Sequence, residues 1–130
     1  MSGKPEKIVR DFFAGWADPE PDELGSFSHA SAVWVDGPQG VRSGAEAITA
    51  ELAAQLTAVG GAAVEVKTLV SNGNTVMVEQ LHTSSVGGNP VSSVVMAVFE
   101  LDAEGRITQW REAYDLKSAL DQIEAAVRSA

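Results

Sequence analysis

The chain has 130 residues, 45% hydrophobic and 21% charged, enough for one compact domain with a real core and too few for two. Eighteen acidic against nine basic residues leave a formal charge of -9, and the bases are scattered, which argues against nucleic acid as a partner. With no cysteine there are no disulfides, thiol nucleophiles or thiolate metal sites, and no apolar run nears the ~20 residues that span a bilayer. The first seven residues mix acid with base and no continuous apolar stretch follows them, so no secretory signal and no membrane partner are expected, and a cytoplasmic location fits.

Residues 4–16 read as an amphipathic helix, with Pro5 in its first turn and Ile8, Phe12 and Trp16 at successive i+4 positions. A turn cluster over 17–22 leads to a short helical turn over 23–28 that carries Leu24 and Phe27. Residues 31–36 form a short strand whose alternation groups Ala32, Trp34 and Asp36, and Gly37-Pro38-Gln39-Gly40 ends it. Ser43 and Glu46 have the spacing of a capping box at the start of a helix over 44–58, with Ile48, Leu52, Leu56 and Val59 as its stripe and Gly60-Gly61 as its stop.

The period then changes from helical to strand-like. Residues 62–70, 75–86, 91–101 and 106–114 read as strands joined by short turn-forming segments, the pattern of an antiparallel meander. Asp115 can cap a last helix whose Leu116, Leu120, Ile123 and Val127 share a side. The expected architecture is α+β: a curved antiparallel sheet of four strands plus a short fifth, forming a cone, with helices packed on one face. Met77, Leu81, Val95, Ala97 and Phe99 are assigned to its outer face, an apolar set that predicts a homodimer through that face.

Four side chains with useful chemistry fall on these strands. Alternation places Thr108, Trp110, Glu112 and Tyr114 on one face of the last strand and Ile107, Gln109, Arg111 and Ala113 on the other. A carboxylate set among aromatic rings loses hydration, so Glu112 is expected to hold its proton more tightly than usual. On the second long strand Val76, Val78, Gln80 and His82 share a side. Asp36, Gln80, His82 and Glu112 are therefore the candidate catalytic residues of one pocket, with Trp34, Trp110, Met96 and Val78 as the candidate substrate-binding residues around it. His29 and His82 sit on different elements and no acidic cluster has ligand spacing, so no metal and no cofactor is expected.

The element order, together with Gly105-Arg106-Ile107-Thr108-Gln109-Trp110-Arg111-Glu112-Ala113-Tyr114-Asp115-Leu116, resembles the nuclear-transport-factor-like cone fold, and within it the limonene epoxide hydrolase branch. The resemblance implies a pocket for a small hydrophobic molecule in which a last-strand acid, here Glu112, activates a water. By position Trp34 and Asp36 would be its first-strand partners, and Gln80 and His82 the middle-strand pair. Trp34 stands where that branch has a phenol, Gln80 where it has a guanidinium and His82 where it has an acid. In that reading a cationic His82 donates to the leaving oxygen. The same fold is similar to ketosteroid isomerase and polyketide cyclases, which implies instead that Asp36 shuttles a proton beside a carbonyl. A third possibility is a non-catalytic binding or dimerisation domain.

Overall fold

Three tight hairpins build most of the sheet, because each junction supplies residues that tolerate a sharp reversal between runs of β-branched side chains. A computed structural model describes residues 3–129, with Met1, Ser2 and Ala130 outside the description, so the part of the N-terminal reading that falls on Met1 and Ser2 lies there. The elements are α1 (Gly3–Ala14), α2 (Pro21–Gly25), β1 (Ser28–Val35), a 3-10 turn (Gly37–Gln39), β2 (Val41–Ser43), α3 (Ala45–Ala58), β3 (Ala63–Asn72), β4 (Thr75–Val86), β5 (Asn89–Leu101), β6 (Ile107–Tyr114) and α4 (Leu116–Arg128). The sheet order is β2-β1-β6-β5-β4-β3.

This is the expected α+β cone, with one difference in strand direction and one in strand count. The sheet has six strands and is mixed, since β1 runs parallel to β6 while every other neighbour is antiparallel. The chain leaves β1 through β2 and α3 and crosses the whole meander before β6 returns, so β1 has its hairpin partner β2 on one side and the last strand of the meander on the other.

Inside the curve, α1 delivers an aromatic cluster. The Phe12 ring lies 5.3 Å from Trp110 and 5.4 Å from Phe27 in edge-to-face contact. Trp34 and Trp110 stack with ring centroids 4.2 Å apart and planes inclined by only 2°. Pairs of this kind are worth about 0.5–1.5 kcal/mol beyond the area they bury. α3 adds Ile48, Leu52 and Leu56 to the same core, as its stripe predicts. Gly60 and Gly61 end the helix with positive φ, and the amide of Ala62 then bonds to the Trp16 carbonyl at 2.8 Å. A side chain on Gly61 would collide with the Ala17 carbonyl, so the stop also docks the sheet entry against α1.

Several local expectations fail. Ser43 pairs with Val33 in the ladder and no capping box forms; Gly44, at φ +91°, is the cap residue and its amide bonds to the Ala32 carbonyl at 2.7 Å. On β6 the register slips between Glu100 and Leu101, so the bulge turns Ile107 inward with Trp110, although simple alternation puts it on the opposite face. On β5 the outward assignment is inverted: Val95, Ala97 and Phe99 are buried, and Val94 and Met96 are exposed in their place. Residues directly opposite share a face, and Val95 opposes Gln80, so an inward Gln80 carries Val95 inward too. Residues 94–99 are apolar throughout, which leaves no alternation in the sequence to read.

Candidate functional site

The parallel contact of β1 with β6 sets Trp34 beside Trp110, and this puts the C-terminal end of β1 against the C-terminal half of β6. Trp34 Nε1 there donates to Glu112 Oε1 at 2.9 Å. Asp36, one step past β1 and only 1% exposed, faces the same Glu112, and its charge and hydrogen bond raise that carboxyl. Asp36 Oδ1 accepts from the Tyr114 hydroxyl at 3.0 Å, and Oδ2 accepts from Gln55 Nε2 at 2.9 Å. Arg42 Nη2 lies 3.8 Å from Oδ2, and Gln39 Nε2 donates to the Tyr114 hydroxyl at 2.6 Å. Three donors, from Tyr114, Gln55 and Arg42, thus converge on the Asp36 carboxyl.

Glu112 is in the opposite situation. Burial pushes its carboxyl up to about 8; the Trp34 hydrogen bond opposes the rise, and the charge and hydrogen bond of Asp36 add to it. At neutral pH Glu112 therefore carries a proton. The Tyr114 hydroxyl is pushed up to about 12, first by burial, so it serves as a donor and not as a phenolate. His82 is drawn down to about 4 by burial and is a neutral imidazole. The cationic donor expected of His82 is thus excluded by its setting against the edges of Trp16 and Phe13, at centroid distances of 5.1 and 6.2 Å.

Asp36, Glu112, Trp34 and His82 all line a cavity of about 340 Å³ roofed by α3 and α4. Gln80 stands behind it, wholly buried, with its Oε1 2.8 Å from His82 Nε2. Three of the expected wall residues are placed differently. Trp110 lies behind Trp34 in the core, and Val78 is a core residue that does not reach the cavity. Met96 is on the opposite face of the sheet, 52% exposed, because it stands next to inward-facing Val95 on the same strand. Gln55, Tyr114 and Arg42 escaped the sequence reading as partners of Asp36. Gln55 follows Leu52 by three residues on α3, so a polar residue at an otherwise apolar inward position is the signal that marks it.

Among the described residues no three side chains of ligating type converge on a point where a metal could sit, and no helix is long and apolar enough to cross a membrane. What the arrangement offers is proton transfer: a proton-bearing carboxyl next to a carboxylate, at the polar floor of an otherwise apolar cavity.

Comparison with known proteins gives one family match, to the SnoaL-like domain, over residues 9–110. No curated protein matches the chain. Among solved structures, a hypothetical protein of Catenulispora acidiphila DSM 44928 with a ketosteroid isomerase-like fold superposes with a TM-score of 0.80 at 24% identity, over 90% of this chain and 92% of that one. An LEH-like epoxide hydrolase of M. tuberculosis gives 0.83 at 20% identity, over 98% and 95%. A SnoaL-like polyketide cyclase fold from Jannaschia sp. CCS1 gives 0.83 at 19% identity, over 95% and 94%. At these identities the likeness is one of fold.

Proposed function

The chain belongs to the SnoaL-like domain family, and on that premise we propose that it is a cofactor-independent acid–base enzyme that moves a proton beside the carbonyl of a small, mainly apolar molecule. The observation that carries the reading is the pairing of Asp36, whose carboxyl oxygens accept from Tyr114 and Gln55, with a Glu112 whose carboxyl burial raises to about 8. The substrate carbonyl oxygen accepts a hydrogen bond from protonated Glu112. Asp36 then takes a proton from the neighbouring carbon, and the electron pair released moves onto the oxygen as an enolate that Glu112 stabilises. Asp36 returns the proton to another carbon, giving an isomer, or the enolate carbon attacks a second carbonyl in the same molecule, closing a ring, and Asp36 gives its proton to the alkoxide so formed. Neither outcome needs an oxidant or a cofactor. The apolar walls keep water away, so the charge on Asp36 and the proton on Glu112 act at low dielectric, where such interactions are strongest.

Opening an epoxide with water is the second reading, favoured by the donors of Trp34 and Gln55 beside the two carboxyl groups, which suit them to orienting a water. It is less well supported on two counts. In-line attack sets the incoming and leaving oxygens on opposite sides of one carbon, and two neighbouring carboxyl groups do not flank such a carbon. A Glu112 that holds its proton up to about pH 8 is also a poor base at neutral pH.

The test uses a panel of small cyclic ketones in deuterium oxide, with exchange of the α-protons followed by NMR. Exchange above the buffer rate is expected, and Asp36→Asn should reduce it by ~10²–10⁴, the usual worth of a general base. A protein that exchanges no ketone but opens cyclic epoxides with incorporation of labelled oxygen from water would replace this reading with the second.

A further inference from the structure

At the other end of the cavity from the carboxyl pair lies a group of polar side chains that the proposed chemistry does not use. His82 and Ser93 are direct cross-strand partners on β4 and β5, and Ser84 follows His82 on the same face two residues on; all three line the cavity. The ladder gives their distance from the reacting end. Glu112 opposes Ala97, so Ser93 is four residues along β5 from the Glu112 row and one strand away. At ~3.3 Å per residue and ~4.8 Å between strands this is a backbone separation of roughly 14 Å.

Nothing in this second group carries a charge. His82 is neutral, and its Nε2 is engaged by Gln80 Oε1 at 2.8 Å, which makes Nε2 the protonated nitrogen and leaves Nδ1 as an acceptor on the far side of the ring. Gln80 is wholly buried and its own Nε2 finds no acceptor among the described residues. An unmet amide donor in a core is costly, about 1–3 kcal/mol, and what this one accompanies is a histidine held in a single tautomer. Trp16 and Phe13 pack against the ring and fix its plane. The hydroxyls of Ser84 and Ser93 have no side-chain partner among the described residues, so both are free to donate and to accept. Leu116, Leu120 and Ile123 of α4 complete the wall between the two polar ends.

We infer that His82, Ser84 and Ser93 form a hydrogen-bonding subsite for a second, uncharged oxygen of the ligand, a hydroxyl by preference, held at the opposite end of an apolar body from the reacting carbonyl. A carboxylate or a phosphate does not suit it, because the subsite has no cation and the chain around it is acidic. A hydroxyl suits it well, since it can donate to His82 Nδ1 and accept from a serine at the same time. The ligand class is then a hydroxyketone of elongated shape. The inference rests on the proposed reading of Asp36 and Glu112 for the carbonyl end, and Gln80 acts in it only as a positioning residue for His82.

The test compares two probes, methyl hexyl ketone and the same ketone with a hydroxyl on its terminal carbon, by quenching of tryptophan fluorescence, Trp16 and Trp34 both being cavity residues. The hydroxyketone should bind about 3- to 30-fold more tightly, the range expected for one or two neutral hydrogen bonds. Ser84→Ala/Ser93→Ala should reduce that preference to what the bond to His82 alone supplies. Gln80→Leu should weaken the preference, and Gln80→Glu, which keeps an acceptor for His82 Nε2, should retain it better. Equal affinity of the two probes, a preference undiminished in the double serine variant, or no binding of either probe at millimolar concentration would each overturn the subsite. The carbonyl end is read separately: if Asp36→Asn leaves α-proton exchange of the plain ketone untouched while the hydroxyl preference persists, the subsite stands and the proposed reaction falls.

Discussion

Glu112 is acidic in sequence and a proton donor in the fold, and burial makes the difference. Its carboxyl, raised to about 8, stays protonated across the neutral range. If it works as a donor to an enolate oxygen, the rate should be level below pH 7 and fall as pH rises through about 8. If it works as the base of a hydration, the rate should instead climb through the same interval, so a single pH profile separates the readings. Trp34→Phe removes the one contact that favours the charged form of Glu112, so the basic limb should move to higher pH. Glu112→Gln keeps a donor but no transferable proton. A loss limited to ~10-fold or less would fit hydrogen bonding to the enolate, and a loss of ~10²–10⁴ would fit obligatory proton transfer through Glu112.

At the level of elements, the site depends on the bend where β1 ends. Gly37 has φ +48°, and a Cβ there would lie 2.7 Å from Tyr114 Cε1. The missing side chain lets the β6 tyrosine lie over the turn and put its hydroxyl on Asp36. Gly37→Ala should therefore displace Tyr114, lower stability by about 1–3 kcal/mol and reduce activity more than Tyr114→Phe does, because it disturbs the turn as well as the hydroxyl. Chemical denaturation and the ketone exchange assay read the two effects. Sequence patterns served this scale unevenly. The alternation of Ala32, Trp34 and Asp36 and the Asp115 cap, which accepts from Ser118 N at 2.9 Å, are as periodicity and spacing predict. The Ser43 capping box is absent because the β2 ladder claims Ser43 first, and the Ile107 bulge escaped because a one-residue irregularity reverses parity without any mark in composition.

Two consequences belong to the whole molecule. The first is the balance of stability against pH. Glu112, raised from 4.5 to about 8 on folding, adds stability that is complete below pH 4.5 and is lost as pH rises through 8. His82, lowered from 6.5 to about 4, adds stability that is present above pH 6.5 and is lost as pH falls toward 4. Between pH 4.5 and 6.5 the two slopes oppose each other, and from 6.5 to 8 that of Glu112 stands alone, at up to ~1.4 kcal/mol per pH unit. Melting temperatures should decline over that upper interval, and the decline should vanish in Glu112→Gln. The second is assembly. The outer face exposes Val70, Met77, Val94 and Met96 around an open groove of about 480 Å³ edged by Glu79 and Arg111. We propose that a second copy covers this face, since one patch bearing both an acid and a base can meet itself across a two-fold axis. Light scattering should give twice the chain mass, and Met96→Glu should give the monomer; a wild-type monomer at high micromolar concentration would refute the dimer.

Local pattern determined which segments are helices and strands, where the chain reverses, and that Gln80 and His82 share a face, because each of these follows from spacing within a few residues. Folding decided what those faces meet. The parallel seating of β1 on β6 joins Trp34 to Glu112 across 78 positions of sequence, and only that contact brings Asp36 to the same carboxyl. The parity of β5, and with it the exposure of Met96 and the burial of Val95, came from long-range register, since residues 94–99 hold no polar residue to mark the faces. The protonation of Glu112 and His82 was likewise decided by the fold, since desolvation is a property of the atoms packed around a group and not of its neighbours in the chain.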